Sequence, residues 1–322
     1  MTAYAVMDHP LLLVDAASLY FRAYFGVPES VTAPHGTPVN AVRGFTDMLA
    51  RLVSLRRPSR FVACLDLDWR PAFRVAALPS YKAHRVAAET APETPDLEQV
   101  PANLTAQVPL ILQVLRAAGL ATAGAQGYEA DDVIGTLVAA ERRDPVEVVS
   151  GDRDLFQLVR DEPTPVRVRY IGRGLARAEV IGPAELARRY GLPESHAGVA
   201  YADLAVLRGD PSDGLPGVPG IGEKTAATLI RRFGGIQQLL AALDEPRSAL
   251  SAGIRAKLLA ARRYLELAPT VVRVVRDAPV QLDRDDTLPA GPADPTTLRE
   301  LQHTWDLGTT IDRLIAALAA QR

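Results

Sequence analysis

Three short apolar runs, each closed by an aspartate, restrict what this 322-residue chain can become. Leu11–Val14 runs into Asp15, Phe61–Leu65 into Asp66, and Val146–Ser150 into Asp152 and Asp154. Apolar runs this short and without alternation suit strands covered on both faces, as in a parallel sheet. The acids then collect at one edge of the sheet, where open α/β sheets bind their ligands. Helical spacing at 41–55 and at 109–119, the latter with Gly119 as its stop, alternates with the runs. The expected fold is α/β, a mostly parallel central sheet with flanking helices over residues 1–181.

Further acids belong to the same set. Glu129, Asp131 and Asp132 open a helix, and Asp210 and Asp213 bracket a turn. Each group has an ordinary explanation: an acidic first turn suits the helix dipole, an Asp can cap, and Asp-Pro-Ser-Asp-Gly is a common turn. Capping needs one acid, however, and leaves the second of Asp152 and Asp154 unexplained. Nine carboxylates in one pocket require cations, and hard oxygen ligands select Mg²⁺ or Mn²⁺.

The formal charge of −2 argues at first against a nucleic-acid partner. Setting the nine carboxylates aside leaves +7, and residues 208–265 carry nine Lys or Arg against five Asp or Glu. Acids that hold metal and bases that face phosphate cancel in the sum while acting in different places. Only Lys82, Lys224 and Lys257 are lysines among 36 basic residues. No apolar run reaches the ~18 residues of a membrane span and no secretory signal is read, so a cytoplasmic protein is expected. The single cysteine, Cys64, falls in a predicted strand as a small buried hydrophobe.

The segment Leu215–Ala226 reads as a glycine hairpin feeding a helix. Gly217, Gly220 and Gly222 let the backbone approach phosphate, and the helix N-terminus offers N–H groups beside Lys224 and Thr225. Lysine is unfavourable in a first turn, so a phosphate contact explains it better than the dipole does. A packed Gly-rich turn is the alternative. Residues 79–101 are polar and proline-spotted, with Tyr81, Lys82, His84 and Arg85 and no strand signal, as in mobile functional elements. Arg22 lies on the helix after Asp15, while Asp68 alternates with Asp66 and should point away. From residue 182 the pattern is helical through Ala256–Leu267; 269–295 is extended, and one final helix is expected near Leu298–Ala320.

The segments Leu13–Asp15, Arg22–Tyr24, Tyr81–Arg85, Glu129–Asp132, Gly151–Asp154 and Gly209–Gly222 occur in the order of the 5′-nuclease (flap endonuclease) family. Over roughly residues 11–290 the chain resembles the bacterial branch found as the N-terminal part of DNA polymerase I. No polymerase follows, so it resembles a free-standing, actinobacterial flap endonuclease. The resemblance implies 5′-3′ exonuclease and 5′-flap endonuclease activity on DNA in replication and repair. It implies one metal nearest Asp15, Asp66, Glu129 and Asp131, and a second around Asp132, Asp152, Asp154, Asp210 and Asp213. Arg22, Lys82 and Arg85 would act on phosphate and Tyr81 on DNA, beneath an arch at about 79–101. A helix–three-turn–helix domain at 182–290 would hold the duplex, with K⁺ at its hairpin, and a C-terminal helix at 291–322 would pack back. A monomer pairing with a DNA polymerase and a ligase is expected. Ala16 stands where the family usually has Gly, and Gly214 where it often has Asn; neither removes a ligand. A catalytically inactive structure-specific DNA-binding protein is the rival reading, and it would need ligand losses that are not visible. A toxin-like or RNA-processing nuclease is the other rival, which the hairpin and chain length weigh against.

Overall fold

The computed structural model describes residues 9–86, 96, 98–245 and 247–321, so the part of the expected arch at 87–95 and 97 lies outside the described residues. The strands are β1 Leu11–Asp15, β2 Arg60–Cys64, β3 Ala121–Gly124, β4 Val146–Ser150, β5 Val166–Tyr170, β6 Glu179–Ile181 and β7 Gln281–Leu282. They form one sheet in the order β6-β5-β4-β1-β2-β3-β7. The inner five are parallel; β6 and β7 run antiparallel at the two edges.

In the first half, helices α1 Ala16–Gly26, α2 Asn40–Arg56, α3 Ala72–Ala77, α4 Ala102–Thr105, α5 Val108–Ala118 and α6 Ala130–Ala140 alternate with the strands. After β6 come α7 Pro183–Tyr190, α8 Ala197–Arg208, α9 Glu223–Phe233, α10 Ile236–Asp244, α11 Ala252–Ala260 and α12 Arg262–Val272. Two more, α13 Pro295–Thr304 and α14 Thr310–Ala319, end the chain.

The unbroken apolar runs are explained by burial on both faces. Leu12, Val14, Phe61 and Val149 pack with residues of α2, α5 and α14, such as Phe45, Ile111 and Leu314. Leu11, Leu13, Val62 and Val148 face the other way. Their core continues without interruption into Tyr201, Leu204, Ile230 and Leu265 of the helical segment. Each fully buried Leu, Val or Phe contributes about 1.5–3 kcal/mol, so the helical segment is fastened by the same term that holds the sheet. Cys64 is fully buried, and burial pushes its thiol well above the ordinary range.

Three helical expectations change. The helix expected over 256–267 breaks at Ala261, which caps both α11 and α12. Pro269 does not stop α12, which runs on to Val272 because Ala268, Val271 and Val272 are buried. The single final helix is two, turned by Asp306 (φ 46°) and Gly308 (φ 59°) around buried Leu307.

β2 and β3 lie to one side of β1, and β4 and β5 to the other. A crevice therefore opens at the carboxyl ends of β1 and β4, where the strand order reverses.

Candidate active site

A cavity of about 610 Å³ occupies that crevice. Asp15, Asp66, Glu129, Asp131 and Asp152 line it, with Arg22, Lys82, Arg85 and Arg173 and the rings of Phe21, Phe25 and Trp69.

Asp15 closes β1 and caps α1, accepting from the Ser18 N–H at 3.0 Å and the Ser150 hydroxyl at 2.6 Å. Burial raises its carboxyl to about 6, against those two bonds and with the help of Asp152. Asp66 opens to the cavity beyond β2 and accepts the Ala130 N–H of α6 at 2.6 Å. Enclosure by the surrounding protein, then repulsion from Asp15, raise it to about 7. Asp131 is pushed well up by burial, Asp152 and Asp15. Asp152 stands exposed after β4, accepting the Asp154 N–H at 2.8 Å.

Asp154, Asp210 and Asp213 lie beside this group rather than on the cavity wall. Asp154 is raised by burial and by Asp152, Asp213 and Asp210, so the four are electrostatic neighbours. Asp213 is raised to about 6, by burial first, with Lys82 opposing.

Lys82 and Arg85, in the stretch expected to form an arch, are tied to the Asp210–Asp213 turn. The Lys82 N–H donates to the Asp213 carbonyl at 3.0 Å, and Arg85 donates to the Ser212 carbonyl at 2.7 Å and the Asp213 carboxylate at 3.0 Å. Lys82 is left-handed, φ 48° and ψ 18°, a conformation that costs a non-glycine residue about 1–2 kcal/mol and is held here by those bonds. Its ammonium pairs with Glu129. Burial opposes its charge, but Glu129 and Asp213 keep it above the ordinary lysine value. Gly214 (φ 72°) explains one departure from the family pattern: a Cβ there would lie 2.1 Å from the Ser80 carbonyl oxygen. The Arg22 side chain makes no hydrogen bond or ion pair among the described residues, and its Nε is buried without a partner.

Two of the expected site residues face away from the cavity space. Asp132, expected at a metal, is fully buried away from the cavity wall and receives both Arg74 guanidinium nitrogens, at 2.8 and 2.6 Å. It also accepts the Val275 N–H at 2.8 Å and closes a capping box with Glu129. Those bonds engage both of its carboxylate oxygens. Tyr81, expected on DNA, is 3% exposed with its hydroxyl on Glu129 at 2.7 Å, so it supports the cavity from behind. Asp68 does not line the cavity; it accepts the Arg70 N–H at 3.1 Å.

Arg74 was invisible in the sequence. It is 2% exposed, pairs with Glu129 and Asp132, and donates to the Val271 carbonyl at 3.1 Å, joining α3, α6 and α12. Glu98, a further cavity acid, was also missed.

At the hairpin the glycines divide. Gly217 (φ 65°) is a packing glycine, since a Cβ would lie 2.4 Å from the Arg208 carbonyl oxygen. Gly220 and Gly222 are exposed, and Gly222 caps α9 with open space before it. Lys224 is exposed and Thr225 half-buried. Lys257, from α11, donates to the Gly220 carbonyl at 2.9 Å, which brings the last lysine of the chain to the hairpin as well.

Among the described residues no three carboxylates close tightly enough to hold an ion. Lys82, Arg74 and backbone N–H groups occupy oxygens that would otherwise face inward. The donor set still fits hard divalent cations, because it is all oxygen and its carboxyls are raised by burial first and by mutual repulsion second, both of which a bound cation offsets.

Residues 10–191 match the family 5′-3′ exonuclease, N-terminal resolvase-like domain, and residues 197–296 the 5′-3′ exonuclease, C-terminal SAM fold. A 5′-3′ exonuclease of Mycobacterium tuberculosis is 58% identical over 97% of this chain and 98% of its own. DNA polymerase I of the same organism is 36% identical over 96% of this chain but only 32% of its own length. The fold is shared with T5 5′-exonuclease bound to zinc ions, at TM-score 0.62 and 19% identity over 97% of both chains. It is also shared with a bacteriophage T5 flap endonuclease in complex with DNA and metal ions, at TM-score 0.57 and 17% identity over 97% of this chain and 98% of that one. On sequence and on fold alike, the chain belongs to the 5′-3′ exonuclease family.

Proposed function

We propose that this chain is a structure-specific 5′-nuclease that cuts DNA at 5′ flaps, nicks and overhangs, using Mg²⁺ or Mn²⁺. The observation that carries the reading is five carboxylates gathered at the strand ends in one cavity with Arg22, Lys82 and Arg85. Asp15, Asp66, Glu129, Asp131 and Asp152 would hold the ions, with Asp154, Asp210 and Asp213 beside them. When bound, the ions supply charge neutralisation and an activated water. Lys82 must leave Glu129 to meet phosphate, which couples substrate entry to the release of a metal-binding oxygen. Arg22 and Arg85 would stabilise charge on the phosphoryl oxygens. The exposed part of the hairpin, Gly220–Thr225, would grip a duplex without reading bases. K⁺ at the hairpin remains part of the proposal, although Lys257 already brings a positive charge to the Gly220 carbonyl.

The proposed organisation is a nuclease unit over 1–181, a DNA-holding unit over 182–290 and a C-terminal segment that packs back. We place the protein in the cytoplasm as a monomer working with a polymerase and a ligase. Cleavage of a labelled 5′-flap duplex in Mg²⁺ or Mn²⁺, beside EDTA and an RNA equivalent, tests the reading. Binding of the flap without cutting in either metal would favour the catalytically inactive alternative.

A further inference from the structure

Arg173 lines the cavity and its side chain makes no hydrogen bond or ion pair among the described residues, although six carboxylates, Glu98 included, share that space. It rides on the turn after β5, where the Gly174 N–H donates to the Ile171 carbonyl at 2.7 Å and Gly174 takes φ 88°. The sheet order puts β5 beyond β4, on the far side of the switch point from β2 and β3. Lys82 is held by Glu129, which follows β3, so the two cations approach the cavity from opposite ends of the sheet edge. Phe25 lines the same cavity and is 73% exposed, more than packing requires. A guanidinium without a protein acceptor and an uncovered ring suit a nucleotide, the fork on phosphate and the ring against base or sugar.

We infer that Arg173 grips a phosphate of the cut strand next to the scissile one, so that the strand is held from both ends of the cavity. The inference rests on the nuclease reading above and adds a positioning contact to it. The fork makes two parallel bonds to one phosphate, which fixes direction as well as distance.

The test uses the full chain and single-turnover cleavage of a 5′-flap duplex. Arg173→Ala should slow the cut about tenfold or more at saturating enzyme, the scale of a lost charge-assisted bond, and Arg173→Lys should restore part of it. The side chain is exposed, so the melting temperature should stay unchanged. A neutral methylphosphonate is then moved along the cut strand one position at a time. At the phosphate Arg173 holds, the replacement should slow the wild type and leave Arg173→Ala no slower than before. Additive losses at every position, or Arg173→Ala cutting as fast as wild type, would overturn the inference while leaving the nuclease reading intact. A wild type that fails to cut the unmodified flap in Mg²⁺ or Mn²⁺ overturns that reading and this inference with it.

Discussion

Glu129 is shut from solvent by Arg74, Tyr81 and Lys82, whereas Lys224 at the hairpin is exposed and its side chain bonds nothing among the described residues. Both regions are suited to phosphate, yet one carries electrostatic conflict and the other none. In the cavity, carboxyls sit above their ordinary range and a lysine adopts a left-handed backbone. At the hairpin, a capping glycine faces open space and Lys224 is solvated. Conflict that only ions and substrate relieve belongs to chemistry. A relaxed surface can bind and release a duplex without altering itself.

The sharpest way to break this contrast is Asp131→Asn, which should abolish cleavage while flap affinity, measured by fluorescence anisotropy, stays within a few-fold. Cleavage near the wild-type rate would remove Asp131 from the metal set. Next, Lys82→Ala should lower the single-turnover rate by about 10²–10³ with little effect on duplex affinity. Equal losses in rate and affinity would make Lys82 a docking residue.

Stability should separate the regions too. Arg74→Met leaves Asp132 buried without its cation, while Glu129 keeps Lys82 and Tyr81, and should cost about 3–5 kcal/mol in urea unfolding, the scale of a broken buried ion pair. A loss below 1 kcal/mol would show that the buried network bears little weight. In EDTA, Asp15 and Asp213 (about 6) and Asp66 (about 7) bind protons more tightly folded than unfolded. Their contribution is full below about pH 4, the unfolded value, and is lost as pH rises through 6 and 7. The melting temperature in EDTA should therefore fall across that window relative to the curve in saturating Mg²⁺, and parallel curves would contradict the assigned cause. The smallest effect belongs to the hairpin: Lys224→Ala should weaken binding equally on unrelated duplexes and reduce the log–log salt slope by about one. A slower rate at saturation instead would move the hairpin into the active site.

How much of this was legible depended on whether a residue's role was local. Asp15, Asp66 and Asp152 were readable because a strand end determines where a side chain points. Asp131 and Asp132 are adjacent acids on one helix, and what separates them is Arg74, 58 positions upstream of Asp132. No local pattern marks that arginine among the others. Tyr81 reads as a DNA contact beside Lys82 and Arg85 until the carboxylate behind it is seen. The break at Ala261 has no glycine or proline to announce it, and Pro269 announces a stop that packing overrides. Gly217 and Gly222 look alike in sequence and differ in backbone, φ 65° against −84°, as well as in what approaches them.

The two residues of β7 come from beyond the helical segment and return to hydrogen-bond with β3, and α14 then lies against α2. The helical segment is thus stapled to the sheet at its entrance and its exit, besides sharing its core. The separation between hairpin and cavity becomes a fixed length, and a duplex seated at one end, as proposed, would present a set number of nucleotides to the other. On the proposed reading such a body would measure its substrate as a gauge block does, and the place of the cut would be decided before any bond is broken.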